Sequence, residues 1–191
     1  ADVDGDGDLD VLVASRTKDR PLTPQALFVN IGGDQGGTVG YFRAQAVDLG
    51  LASPHDLVLV DYDQDGDQDI LAPIECERTD AALDGCDVTI GLGGVRLLRN
   101  DYIANGVVNT GLLEMPFVDV TNEINGDVEL RSITGQVVDV NADTLPDVII
   151  AGVSSAASVL LTNNGSGFDV SSFDLAHRPY DLPRAVDVNR D

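Results

Sequence analysis

Three copies of one acidic pattern constrain this chain more than any other feature. The first copy is Asp2-Val3-Asp4-Gly5-Asp6-Gly7-Asp8-Leu9-Asp10, and the second is Asp61-Tyr62-Asp63-Gln64-Asp65-Gly66-Asp67-Gln68-Asp69. The third is Asp139-Val140-Asn141-Ala142-Asp143-Thr144-Leu145-Pro146-Asp147. Each runs directly into a short apolar stretch: Val11 to Ala14, Ile70 to Pro73 and Val148 to Ala151. A fourth copy begins at Asp187 and reaches Asp191; the four starts are 59, 78 and 48 residues apart. A fixed motif recurring at such intervals is the mark of a repeat architecture.

Charge follows the repeat. The formal net charge is −22, and the three nine-residue windows hold thirteen of the 33 acidic residues. So acidic a chain does not suit nucleic acid, whose phosphates select for Lys and Arg, nor an anionic membrane surface. A uniformly solvated acidic surface would spread its carboxylates. Here they are concentrated, and local charge calls for a local counter-ion. No apolar run approaches the length of a membrane span.

The residues between the loops read as strands. Leu57-Val58-Leu59-Val60 precedes the second loop, Gln136-Val137-Val138 the third, and Ala185-Val186 the fourth. These runs are short and rich in Val, Ile and Leu, which favours strands over helices. A second block follows each loop and ends in Asn: Ala26 to Asn30, Val95 to Asn100 and Ser158 to Asn163. A third carries an aromatic: Tyr41-Phe42, Phe117 to Val120 and Phe168 to Val170. Each unit thus reads as strand, acidic loop, strand, turn, strand, Asn/Gly turn, strand. Four strands in roughly 60 residues is the makeup of a propeller blade. The middle unit is lengthened by residues 75–94 and 101–113, which read as surface excursions.

The expected fold is therefore all-β, with about three blade equivalents. Residues 1–50 would supply the last three strands of one blade. Residues 51–130 would form a full blade with insertions, residues 131–180 a second full blade, and residues 181–191 the first strand and loop of another. Because both ends fall inside a motif, the chain reads as a segment of a longer protein, or as one whose copies meet end to end through unpaired strand edges.

Calcium takes six to eight oxygen ligands in flexible geometry. Counting the first Asp of each loop as position 1, side-chain oxygens at positions 1, 3, 5 and 9 can wrap one ion, with a backbone carbonyl from position 7. The first set is Asp2, Asp4, Asp6 and Asp10 with the carbonyl of Asp8. The second is Asp61, Asp63, Asp65 and Asp69 with the carbonyl of Asp67. The third is Asp139, Asn141, Asp143 and Asp147 with the carbonyl of Leu145. Gly7 and Gly66 stand at position 6, where a sharp turn asks for positive φ. Thr144 replaces that glycine and Pro146 stiffens position 8, so the third loop is expected to bind more weakly or to keep its shape partly without metal. An EF-hand would need an acidic residue at position 12 and flanking helices; position 12 is Val13, Ala72 and Ile150. A purely structural acidic hairpin would not repeat the same oxygen spacing three times.

Cys76 and Cys86, with nine residues between them, lack the further ligands that zinc needs. They read as a disulfide closing a short loop, which would place the protein in an oxidising compartment; two free thiols are the alternative. Catalytic patterns are sparse. His55 and His177 precede strands, and no G-x-S-x-G elbow occurs. Gly91 to Gly94 is a lone Gly-rich turn. Asn164-Gly165-Ser166 fits a glycosylation acceptor.

The pattern D-x-D-x-D-G-x-x-D-[VI]-L, followed by a Leu-Phe-Val-Asn or Leu-Leu-Thr-Asn-Asn-Gly strand and then Gly-Phe, resembles the FG-GAP/VCBS repeats. These are the calcium-binding blades of integrin-α-like seven-bladed propellers and of many bacterial surface proteins. Phe117-Val118-Asp119-Val120-Thr121 also resembles the F-x-D-V-T segment of secreted relatives of cartilage acidic protein. The resemblance implies a calcium loop between the first and second strands of each blade. It also implies an extracellular, secreted or cell-surface (or periplasmic) adhesion-type module. Its partners would be a protein or glycan ligand, or neighbouring blades or copies that complete the ring. On this reading the chain is not an enzyme; the alternative is a propeller that scaffolds or accompanies a secreted hydrolase or lyase.

Overall fold

A computed structural model of the chain describes residues 1–14, 25–32, 36–47, 49–51, 54–74, 94–101, 117–126, 132–152 and 158–173. Cys76 and Cys86, His177, the excursions at 75–93 and 102–116, and the fourth acidic loop lie outside the described residues. The fold is all-β. Among the described residues the one helical element is a single 3-10 turn, Thr121–Glu123. No helix among them is long and apolar enough to cross a membrane.

Among the described residues, twelve strands form three sheets. The first sheet holds β1 (Val11–Val13), β2 (Gln25–Asn30) and β3 (Phe42–Val47), in that order. The second holds β4 (Val58–Val60), β5 (Asp69–Pro73), β6 (Val95–Asn100) and β7 (Phe117–Asp119). The third holds β9 (Ser132–Val138), β10 (Asp147–Gly152), β11 (Ser158–Asn163) and β12 (Phe168–Phe173), with β8 (Ile124–Asn125) added beside β12. Within each sheet neighbouring strands pair antiparallel, apart from β8, which lies parallel to β12; short β-rich runs joined by tight turns pair this way. The recurrent blocks fall where the repeat places them: the Asn-ended block is β2, β6 and β11, and the aromatic block opens or begins β3, β7 and β12. The second and third acidic loops join β4 to β5 and β9 to β10; the first leads into β1.

Two side-chain layers hold the sheets against one another. Leu27 and Val29 of the first sheet, with Val3, Leu49 and Leu51, pack on Ile70, Ala72, Ile74 and Leu98 of the second. On its other face the second sheet presents Val58, Val60, Leu71, Val95 and Leu97 to Val148, Ile150, Val159, Leu161 and Phe168 of the third. Strand alternation makes this possible: in β5, Ile70 and Ala72 face one neighbour and Leu71 the other. The apolar side chains packed in both seams are buried, which fits the continuous Val/Ile/Leu runs rather than a half-polar alternation.

The same register explains the exposed residues at the two outer faces. Val11 and Val13 stand where Ile70 and Ala72 stand in the next sheet, yet they are 46% and 40% exposed. Val140, equivalent to the buried Val3 and Tyr62, is 44% exposed.

The connection from the second sheet to the third is built by the F-x-D-V-T segment. The Thr121 hydroxyl donates to Asp119 Oδ1 (2.6 Å) and accepts the N–H of Leu97 (3.1 Å). The N–H of Val120 donates to the Leu97 carbonyl (3.0 Å). The chain then turns and enters the third sheet as β8, parallel to β12, pairing Ile124 with Phe168 and Asn125 with Asp169. Gly167, at φ 144°, lies so close to the Glu123 carbonyl that a Cβ there would collide with it. A second tie runs from Asp56, whose Oδ2 accepts from Thr134 Oγ1 (2.6 Å) and the N–H of Gly135 (3.3 Å) on β9. Gly135 in turn admits Val58, since a Cβ would sit 2.7 Å from Val58 Cγ2.

Candidate metal centres

The three acidic loops share one backbone. Position 4 has positive φ in each: Gly5 at 69°, Gln64 at 59° and Ala142 at 61°. So does position 6: Gly7 at 93°, Gly66 at 102° and Thr144 at 74°. Carboxylates fold the loop onto itself by accepting backbone N–H groups. At position 1, Asp2 accepts from Asp6 (3.1 Å) and Gly7 (2.9 Å), and Asp139 accepts from Asp143 (3.3 Å) and Thr144 (3.0 Å). At position 5, Asp6, Asp65 and Asp143 accept from the residue two ahead, at 2.9, 3.1 and 2.8 Å.

Position 9 does a different job. Asp10, Asp69 and Asp147 are buried, at 4%, 0% and 0% exposure. One oxygen of each accepts the N–H of position 2: Val3 (2.9 Å), Tyr62 (3.0 Å) and Val140 (2.9 Å). The other accepts the N–H of the strand-end asparagine: Asn30 (2.9 Å), Asn100 (2.8 Å) and Asn163 (2.8 Å). These carboxylates therefore close the loop and fasten it to the Asn-ended strand of its sheet.

The loops differ in what their remaining carboxylates do. Asp2, Asp4 and Asp10 bring one oxygen each within 4.8 Å of one another, and so do Asp61, Asp63 and Asp65. Oxygen-only donor sets converging this closely suit a hard cation such as calcium. Asp6 Oδ2, both oxygens of Asp8 and Asp61 Oδ1 are buried without a hydrogen-bond partner. A buried carboxylate oxygen with nothing to accept is costly, and a cation would satisfy it. Asp6 and Asp8 lie outside the first trio, and Asp67 and Asp69 outside the second.

Burial first, then the charges of Asp10, Asp6 and Asp2, push the Asp4 carboxyl up to about 7, against the N–H of Asp6. Burial likewise pushes Asp69 up to about 7, although the amides of Asn100 and Tyr62 favour its charged form. Asp10 and Asp63 are raised as well, burial leading in both. Arg96 pairs with Asp119, and Arg99 with Asp101 and Glu123.

In the third loop, Asp139, Asn141 and Asp143 are exposed. The Asn141 side chain donates Nδ2 to Asp143 Oδ2 (2.8 Å) and accepts the N–H of Asp143 on Oδ1 (3.0 Å). An amide thus supplies donors where the other loops have only acceptors. Thr144 holds the left-handed conformation that glycine occupies elsewhere, a strained state for a β-branched residue. Thr144→Gly is expected to stabilise the protein by about 1 kcal/mol, read as a rise in denaturant midpoint at constant m. Its N–H and carbonyl bonds survive the change.

Other sequence candidates have ordinary roles. The N–H of His55 donates to the Pro73 carbonyl (2.9 Å). Asn164 Oδ1 accepts both the N–H and Oγ of Ser166 (3.0 Å each) in an exposed turn. The residues that sequence reasoning passed over are the strand-end asparagines. Their recurrence was visible; their reach into the acidic loops was not.

Blade-like antiparallel sheets in series, each with an acidic loop leading into one of its strands, define a β-propeller-type module. Residues 2–72, from the first acidic loop into β5, match the family model of the FG-GAP-like repeat. No curated protein and no solved structure matches the chain.

Proposed function

We infer that the chain is a calcium-stabilised stretch of β-propeller that serves as a structural and interaction module outside the cell, binding protein or glycan. The observation that carries this reading is the pair of converging carboxylate trios, Asp2–Asp4–Asp10 and Asp61–Asp63–Asp65, on loops of one backbone conformation. Asp2, Asp4, Asp6 and Asp10 would hold one ion, and Asp61, Asp63, Asp65 and Asp69 a second, with the carbonyls of Asp8 and Asp67. The third loop, with the carbonyl of Leu145, would bind more weakly, since Asn141 brings no charge and its Nδ2 already donates to Asp143. The ion supplies positive charge and rigidity, not chemistry. The open outer faces, Val11 and Val13 at one end and Val140 at the other, fit further blades that continue the ring.

Calorimetric titration with calcium tests this directly, with two tight sites and a weaker third as the expected result. Asp65→Ala should abolish one tight site and destabilise the calcium-loaded protein by about 3 kcal/mol. Asp143→Ala should cost less than about 1 kcal/mol. Equal losses would remove the distinction between the loops, and the absence of any calcium heat would remove the reading itself.

A further inference from the structure

Asn100 and Asn163 each stand between two acidic loops. The backbone N–H of Asn100 donates to Asp69 in its own sheet's loop, while Nδ2 donates to the carbonyl of Val3 (3.2 Å) in the loop before. Asn163 repeats the arrangement. Its N–H donates to Asp147, and its Nδ2 donates to the carbonyl of Tyr62 at 2.7 Å. Val3 and Tyr62 both occupy position 2, and the N–H of each is held by its own position-9 carboxylate. The result is a continuous series of residues: Asp10, Val3, Asn100, Asp69, Tyr62, Asn163, Asp147. It crosses both seams and touches all three loops.

The side chains at position 2 reinforce it. Val3 is buried among second-sheet residues. The Tyr62 ring lies 5.8 Å from that of Phe168 in the third sheet, and its hydroxyl donates to Glu123 Oε2 (2.7 Å). Gln64 Nε2 also donates to the Thr144 carbonyl (3.0 Å), joining the second loop to the third directly. Asn30, whose N–H donates to Asp10, bonds its side chain to the Leu9 carbonyl of its own loop (3.4 Å).

We propose that Asn100 and Asn163 are positioning residues for the acidic loop of the preceding sheet, so that cation binding at one loop depends on how the next sheet is docked. The proposal rests on the calcium reading for its binding consequence. The carbonyl that each asparagine holds lies between the residues at positions 1 and 3, both metal ligands on that reading. Fixing this peptide pre-orders their spacing, which lowers the ordering cost of binding. The dependence has a direction: the second sheet supports the first loop, and the third sheet supports the second.

Asn163→Ala isolates the link, because it deletes Nδ2 yet keeps the backbone N–H to Asp147. It also deletes the Asn163 Oδ1 acceptor for the N–H of Gly165 (2.8 Å). Asn163→Asp restores that acceptor without restoring the donor. The measurement is hydrogen–deuterium exchange of the full chain across a calcium titration and in excess chelator, followed separately at residues 1–12 and 57–71.

Asn163→Ala is expected to raise the calcium midpoint of the second-loop segment about tenfold, the loss of one buried hydrogen bond, and to leave the first-loop midpoint in place. In chelator the same segment should exchange faster than in wild type. Asn163→Asp should match the alanine variant. An unmoved second-loop midpoint, equal movement in both loops, or wild-type behaviour of Asn163→Asp would overturn the proposal. If wild type shows no calcium-dependent protection at all, the calcium reading fails, and exchange in chelator still decides the link.

Discussion

Adding EDTA to the calcium-loaded protein is expected to lower Tm by more than about 10 °C, and calcium, but not magnesium, should restore it. The size follows from mass action. A ligand at a thousand times its Kd stabilises the folded state by about 4 kcal/mol per site. In a domain of this length 1 kcal/mol moves Tm by roughly 2–4 °C, and two tight sites act together. Magnesium demands a tight octahedron and gives up water reluctantly, which a loop of alternating aspartates does not provide.

The effect has a pH signature. Without a cation, Asp4 and Asp69 are pushed up to about 7, above the ordinary carboxylate value of 3.8 that holds in the unfolded chain. The folded state then binds protons more readily than the unfolded state. Stability in chelator should therefore rise as pH falls through about 7 toward about 4, and be lowest above 7. Protons and calcium compete for the same oxygens, so the gap between the calcium and EDTA melting curves should narrow on acidification. A chelator that leaves Tm unmoved at pH 8 would end the calcium reading.

The second large effect is expected to be independent of metal. Asp147→Ala should destabilise the protein by about 3 kcal/mol in calcium and in chelator alike. Asp147 is fully buried, and its oxygens hold the N–H groups of Val140 and Asn163. Truncation leaves both amides without an acceptor, the Asn163 amide buried and the Val140 amide partly buried, where an unmet donor costs about 1–3 kcal/mol when buried and less when water can reach it. Chemical denaturation in the two buffers checks this. A loss confined to the calcium buffer would mean that the carboxylate acts as a metal ligand first and a backbone anchor second.

The sequence pattern alone carried much of the architecture. Short Val/Ile/Leu runs around acidic loops favoured strands over helices, and their recurrence with Asn-ended and aromatic blocks marked the sheets. Local rules were sufficient here because the loop geometry is set within nine residues. Positive φ at Gly7 and Gly66 and the alternation of carboxylates depend on nothing distant. The strain at Thr144 was legible for the same reason, as an L side chain where its counterparts have glycine.

What lay beyond the sequence was the partition of the carboxylates and the use of position 2. Asp2 and Asp10 look alike as letters. One folds back on its own loop, while the other reaches the amide of Asn30 twenty residues on. Val3, Tyr62 and Val140 share one loop position. The first two are buried against the following sheet, and the third is largely exposed, because burial depends on a neighbouring surface rather than on the residue.

The acidic repeat by itself determined that the chain is built from strands joined by oxygen-rich loops, since spacing and short-range sterics suffice for that. Only the tertiary structure decided that the loops are connected through Asn100 and Asn163. Those hydrogen bonds span 97 and 101 residues and exist only once apolar burial has brought one sheet against the next.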